Sequence, residues 1–513
     1  MTFPWLTVLG AVPLVGALVV ALLPGSRTVV HKTAALAVSL VVLALTTALA
    51  LQFDAGGGTQ FSEQAEWISA FGAHYALGLD GIGLLMIVLT AILTPVVILA
   101  SWNDAEGGRW GVRSFFAWML ALEGLSIGVF AATDVFLFYV LFEATLVPIY
   151  FLIGGFGGPR RSYAATKFLI YSLFGGLLML ASVVGLYVVS GDQGGPTYLL
   201  SELGNLQMDQ ATERWLFLGF FVAFAIKAPM WPVHTWLPDA ASEASPGTSV
   251  LLVSVLDKIG TFGMLRFCLG IFPEASQWAT PVVIVLAVFS VLYGALLAIA
   301  QDDMRRLIAY TSISHFGFIV LGIFVLNSQG QAGATLYMFN HGLSTAALFL
   351  VTGFLISRHG TKRISDLGGV EKNAPVLAGV FLVAGLSSLS LPGLSPFVSE
   401  FLVLTGAFTA SVPAAAFATL GIVLAALYIL LMYQRTMTGP VRPGLIATPD
   451  LNAREVVAMA PLLLLLVVLG FFPKPALDVI NPGVQDTLQQ VGVSDPQPAT
   501  PATAAAETEG NHQ

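Results

Sequence analysis

Apolar residues run along this chain in stretches of about 20, long enough to cross a hydrocarbon core of about 30 Å as a helix. Short polar turns separate them. The stretches fall near 3–23, 30–52, 80–101, 113–131, 135–153, 168–190, 215–237, 247–271, 279–300, 307–326, 333–357, 374–404, 407–433 and 454–472. The pattern predicts an all-α polytopic membrane protein with about fourteen transmembrane helices, numbered here as spans one to fourteen. Met1 to Leu23 has no basic residue ahead of its apolar run; Arg27 follows it, so this reads as a first helix and not a cleaved leader.

The polar positions between spans are asymmetric. Loops after odd-numbered spans hold Arg27, Lys32, Arg109, Arg113, Arg160, Arg161, Lys167, Arg305, Arg306, Arg358, Lys362, Arg363, Lys372, Arg435, Arg442 and Arg454, which is 16 of the 21 basic residues. The other side holds Arg214, Arg266 and Lys474. Because basic loops stay in the cytoplasm, the bias predicts odd loops inside and both termini on the outer side of the cell's inner (plasma) membrane. The segment QDDMRR, Gln301 to Arg306, reads as a solvated cytoplasmic turn. The Pro/Ala/Thr-rich tail 493–513 reads as disordered.

Composition agrees with this class: 56% of residues are hydrophobic and 10% charged, far below the roughly 25% charged residues of soluble domains. There is no basic patch for nucleic acid and no GxGxxG or GxxxxGK[ST] motif. The single cysteine, Cys268, excludes an internal disulfide and an iron–sulfur cluster held by this chain alone. Any redox chemistry belongs to other chains.

Six ionisable residues nevertheless lie inside spans: Glu123, Glu143, Lys227, Asp257, Lys258 and Glu400. Each costs at least about 2.5–3.5 kcal/mol at a helix centre. At about 1.5 Å of rise per residue, Lys227 sits roughly 18 Å into span seven, near the midplane, and Glu143 and Lys258 are central by the same measure. His315 and His341 lie at comparable depth in spans ten and eleven. Glu123 fits a hydrogen bond between helices as well as a functional role. Asp257 and Lys258 are adjacent and point about 100° apart, so Asp257 reads as a local counter-charge. A lone histidine is more often a packing residue than a proton carrier. Lys227 and Glu143 read as functional, because deep charges near helix breaks mark ion paths.

Two spans carry such breaks. Span seven reads FAIKAPMWPVHTWLP, with Pro229 and Pro232 after Lys227; span twelve reads LSLPGLSPFVSEF, with Pro392, Gly393 and Pro396 before Glu400. Proline removes an amide donor and frees carbonyls that must find other partners. The two spans are five apart and therefore antiparallel, as in an inverted repeat in which spans four to eight recur as nine to thirteen. The expected organisation is 1–112, spans one to three; 113–272, the first five-helix repeat; 273–434, the second, inverted repeat; 435–492, the last span and its flanks; and 493–513, the tail. From the residues alone the chain reads as a transporter or pump with two half-channels meeting at the midplane. The rival is a passive scaffold that only holds neighbouring subunits together.

DVFLFYVLFEATLVPIYFLIGGFGG (Asp134 to Gly158), FAIKAPMWPVHTWLPDA (Phe224 to Ala240), YTSISHFGF (Tyr310 to Phe318), MFNHGLSTAALFLVTG (Met338 to Gly353) and PFVSEFLVL (Pro396 to Leu404) resemble the antiporter-like subunits of respiratory complex I. The resemblance covers roughly residues 80 to 435. In that family the L and N subunits and the Mrp antiporters usually carry lysine on the second broken helix, whereas the M-type branch, with its mitochondrial counterpart subunit 4, carries glutamate. Glu400 matches the M-type branch and argues against an Mrp-type cation/proton antiporter.

The resemblance implies a proton-translocating subunit of NADH:quinone oxidoreductase. Glu143 would pair with Lys227, and Lys258, His315 and His341 would continue a polar axis towards Glu400. Glu123, Asp257 and His234 are further candidates. FMN and iron–sulfur clusters would sit on partner subunits, with none on this chain, and the neighbours would be L and N. One departure stands out: where the family often has a second histidine after WLPDA, this chain has Ala241.

Overall fold

A computed structural model describes residues 3–24, 28–106, 110–441 and 448–495. Arg27, Arg109, Arg442 and the tail from residue 496 onward lie outside the described residues. Twelve helices among them are long and apolar enough to cross a membrane. Their bounds follow the apolar stretches closely, for example Trp5–Leu22, Gly81–Ala100, Pro273–Ile299 and Met304–Phe324. The two stretches outside that group are the proline-broken ones. Span seven is Gln210–Lys227 followed, after a turn, by Trp236–Glu243. Span twelve is Pro375–Ser388 followed by Ser395–Ala410.

Burial is uneven. Span eight, Pro246–Leu269, is enclosed by protein along its whole length, and spans ten and eleven (Met304–Phe324 and Ser328–His359) nearly so. Spans one, two and fourteen expose most of their apolar surface. Charged groups are tolerable at membrane depth only where protein surrounds them. The enclosed spans accordingly carry Lys258, His315 and His341.

The connections sort onto two sides. On one, Arg160, Lys167, Asp239, Glu243, Asp303, Arg306 and Lys362 gather: Asp239 bridges Lys167 (2.7 Å) and Arg306 (2.5 Å), and Lys362 bridges Asp303 (3.0 Å) and Glu243 (3.2 Å). The Gln301–Arg306 segment is therefore a brace more than a solvated turn. Asp303 caps span ten, and Arg305 reaches the Ala244 carbonyl at 2.5 Å. On the opposite side lies a feature absent from the all-helical expectation, an antiparallel hairpin of Gln60–Ile68 and Ala73–Leu79. Its Glu63 accepts hydrogen bonds from the Leu6 amide (2.7 Å) and the Thr7 hydroxyl (2.5 Å), capping the start of span one.

The flank after span fourteen forms a second unforeseen element, the helix Lys474–Val491. It packs on the hairpin side, where the Val491 carbonyl accepts from Gln277 (2.7 Å) and Asp495 accepts from the Ser328 amide (2.8 Å). The start of span one and the described end of the chain thus share one side of the bundle.

Candidate functional site

Both helix breaks satisfy their freed backbone groups with side chains. At the first, the Trp236 indole N–H donates to the Ile226 carbonyl (2.9 Å) and the Trp231 amide donates to Ser290 Oγ (3.0 Å). At the second, Asn340 Nδ2 donates to the Ser395 carbonyl (2.8 Å), and Ser390 and Gly393 take positive φ to turn the chain. Each break is thus a built feature that ends a half-helix inside the protein.

Lys227 is the last residue of its half-helix. There its ammonium lies at the negative end of the helix dipole, which favours a cation. Among the described residues its Nζ has no hydrogen-bond partner, and it sits over the rings of Phe142 (4.8 Å) and Phe168 (5.7 Å). Glu143 faces it electrostatically, yet among the described residues the two form no direct ion pair and the enclosed Glu143 Oε1 makes no hydrogen bond. Span five kinks at Thr145, just past Glu143. Gly176 on span six leaves the carboxylate its space: a Cβ there would lie 1.9 Å from Oε1.

Span eight carries Lys258 between two π-helical segments, Leu251–Leu256 and Met264–Leu269. Such widened turns are rare and recur at functional sites. Lys258 Nζ donates to the Val253 carbonyl, five residues back (3.0 Å), and lies over Phe316 (4.4 Å). It also contacts His341 Nδ1 at 2.6 Å. Two nitrogens at that distance share one proton between a donor and an acceptor, so the pair is a natural hand-over point. His341 stands edge-on to His315, ring centroids 5.1 Å apart, and His315 lies 5.8 Å from the ring of Tyr337. Tyr337 and Tyr428 are in turn within electrostatic range of Glu400, and Ser390 adjoins both Tyr337 and Glu400.

The structure therefore groups Lys258, His341 and His315 in one enclosed cluster, with half-buried Glu143 facing Lys227 at the first break and buried Glu400 beside Tyr337 and Tyr428 past the second. Glu123 lies apart, beside Thr94. His234 lies within the turn of the first break, edge-on to Tyr293 (5.1 Å) and within range of Lys167. Ala241, in place of the second histidine, is fully buried. Sequence reasoning missed Tyr337, Ser390 and Tyr428, because hydroxyl groups in apolar helices carry no pattern that separates relay from packing. It also missed the aromatic rings around the two lysines.

A family profile described as "NADH:quinone oxidoreductase/Mrp antiporter, TM" matches residues 132–425. The chain is 50% identical to NADH-quinone oxidoreductase subunit M of Mycobacterium tuberculosis, over 99% of each. It is 36% identical to NADH-ubiquinone oxidoreductase chain 4 of Arabidopsis thaliana, over 93% of this chain and 95% of that one. Its fold is similar to a chain of respiratory complex I from Thermus thermophilus, with a TM-score of 0.87 and 33% identity, covering 95% of this chain and 100% of that one.

Proposed function

This chain belongs to the NADH:quinone oxidoreductase/Mrp antiporter family, in its subunit M branch, as an antiporter-like membrane subunit of complex I, and from that premise we propose that it carries protons from the cytoplasm to the outer side. Two half-channels meet at a row made of Glu143, Lys227, Lys258, His341, His315 and Glu400, one entering at the broken span seven, the other leaving at the broken span twelve. FMN and iron–sulfur clusters on partner subunits supply the driving oxidation of NADH by quinone, and the L and N subunits flank this one in the plasma membrane. Both termini face outward, since the basic brace of Lys167, Arg306 and Lys362 sits on the opposite side.

The step turns on Glu143. While it is ionised, it offsets the Lys227 ammonium across the gap between them. When a charge change in a neighbouring subunit neutralises Glu143 or draws it away, Lys227 is left cationic among aromatic rings, where burial penalises charge, and it gives up its proton along the row. The proton passes over Lys258 and the His341–His315 pair to Glu400, which releases it outward. Moving one charge against 100 mV takes about 2.3 kcal/mol, supplied by the redox reaction elsewhere.

The single observation that supports this reading is the enclosure of Lys227, Lys258, His315, His341 and Glu400 by protein on and between two broken helices. A passive scaffold has no use for it. The test is Lys227→Ala in the intact complex, reconstituted in liposomes and driven by NADH and quinone. Proton translocation should collapse while the complex assembles; an assembled variant that pumps at the wild-type rate overturns the proposal.

A further inference from the structure

Asp257 is the buried acid this route leaves unused. It is completely enclosed, and neither carboxylate oxygen makes a hydrogen bond or ion pair among the described residues. It sits at the junction between the π segment Leu251–Leu256 and the helical turn beginning at Lys258. An acid kept only for packing would be satisfied by neighbouring donors, since a bare buried carboxylate costs several kcal/mol.

Its direction follows from its neighbours on the helix. Gly260, three residues on and hence on the same face, is pressed against span seven: a Cβ there would lie 2.6 Å from the Phe224 carbonyl and 2.7 Å from the Ala228 amide. That contact falls at the break itself, next to Lys227. Asp257 therefore lies on the face that packs on the broken end of span seven. Lys258, about 100° further round, faces span eleven and reaches His341 at 2.6 Å. Among the described residues, the charged groups in range of Asp257 are Lys258 beside it and Lys227 from span seven.

We propose that Asp257 is itself a proton carrier, joining Lys227 on span seven to Lys258 across the face of span eight; this rests on the proton-translocating reading above. The step balances in two moves. The Lys227 ammonium gives a proton to the Asp257 carboxylate, leaving a neutral amine and a neutral acid. The acid then protonates neutral Lys258, regenerating the carboxylate, so one positive charge has moved from Lys227 to Lys258. The intermediate has no net charge on either Lys227 or Asp257. That is the low-cost state for groups enclosed by protein, and a direct lysine-to-lysine transfer lacks it.

The experiment uses the assembled complex in liposomes with Asp257→Asn, Asp257→Glu and Lys227→Ala as parallel arms. Asp257→Asn should slow NADH-driven translocation about tenfold or more, below the range of about 10²–10⁴ that a positioned acid–base group supplies. Asp257→Glu should keep most of the rate and shift its pH profile. Infrared difference spectra during turnover should show a protonated-carboxyl band that Asp257→Asn lacks. Wild-type translocation by Asp257→Asn, with Lys227→Ala inactive, overturns this inference alone; wild-type translocation by both overturns the functional reading as well. An unchanged infrared band, or equal loss in the Asn and Glu variants, marks Asp257 as a fixed counter-charge and overturns the inference. Should the Asn variant fail to assemble, the Glu variant decides, a superimposable pH profile counting against the relay.

Discussion

Replacing Lys258 with methionine separates transport from assembly, because the substitution keeps the aliphatic stem and removes only the ammonium. Two hydrogen bonds go, to the Val253 carbonyl and to His341 Nδ1, each worth about 1.5–3 kcal/mol when charge-assisted. Against this, the fully buried site no longer has to desolvate a charge, a cost of several kcal/mol. The two nearly offset, so the subunit should fold and the complex should keep its quinone-linked NADH oxidation under uncoupled conditions. Transport should not survive. A proton crossing from span seven to His341 without Lys258 leaves a buried charge uncompensated, at a cost of at least about 3 kcal/mol. At about 1.4 kcal/mol per decade, that slows passage about 10²-fold. The assay is a pH-sensitive dye inside liposomes, read at the onset of NADH oxidation. If the Met variant assembles and translocates at the wild-type rate, the row is not the path.

Three further outcomes are expected. Glu400→Gln should cut translocation strongly, Glu400→Lys should keep part of it, and Glu400→Asp should be tolerated best; wild-type translocation by the Gln variant would demote Glu400 to a structural partner. A reporter active only in the cytoplasm, fused after Gln513, should be silent, and strong activity would reverse the assigned orientation. Asp450 anchors the start of span twelve: although partial burial opposes it, the amides of Val376, Leu377 and Leu451 and the nearby Arg358 hold its carboxyl below the usual carboxylate range. A depressed carboxyl contributes stability above its unfolded value of about 3.9, lost as pH falls through the folded value. Hydrogen exchange at Val376 and Leu377 should accelerate on such acidification, and Asp450→Asn should abolish that pH dependence.

What was legible in the sequence was what lipid imposes. Twenty-residue apolar runs, basic loops and prolines beside buried charges all answer to the cost of polar groups in hydrocarbon, which leaves marks at single positions. The hairpin at Gln60–Leu79 answers instead to packing against loops distant in sequence, as in the Glu63 cap on span one. The helix Lys474–Val491 does carry a helical period, burying Ile480, Val484, Thr487, Leu488 and Val491 on one face, but its polar face and Pro482 hide it from a search for apolar runs. The pairing of Lys258 with His341 likewise depends on two spans meeting at one level. The π segments were invisible because their residues, LLVSVL in the first and MLRFCL in the second, fill an ordinary helical turn as readily.

Those widened turns make span eight sensitive to its length as well as to its chemistry. A π segment holds one residue more than the α-helical turn it replaces, and each residue of an α-helix turns the chain by about 100°. Deleting a single apolar residue from Leu251–Leu256 would let the segment relax into regular helix with its composition almost unchanged. Both flanks would then keep their register, Pro246 on one side and the Gly260 contact with span seven on the other, and only the widened turn that sets the Val253 carbonyl five residues before Lys258 would close. Deleting a residue from the regular helical turn beginning at Lys258 has no such slack and would swing one flank by about 100° against the other. Among relatives of this chain, single-residue deletions in span eight should therefore fall in the widened turns and spare the helical turn between them, a constraint set by the counting of residues per turn and blind to which apolar residues they are.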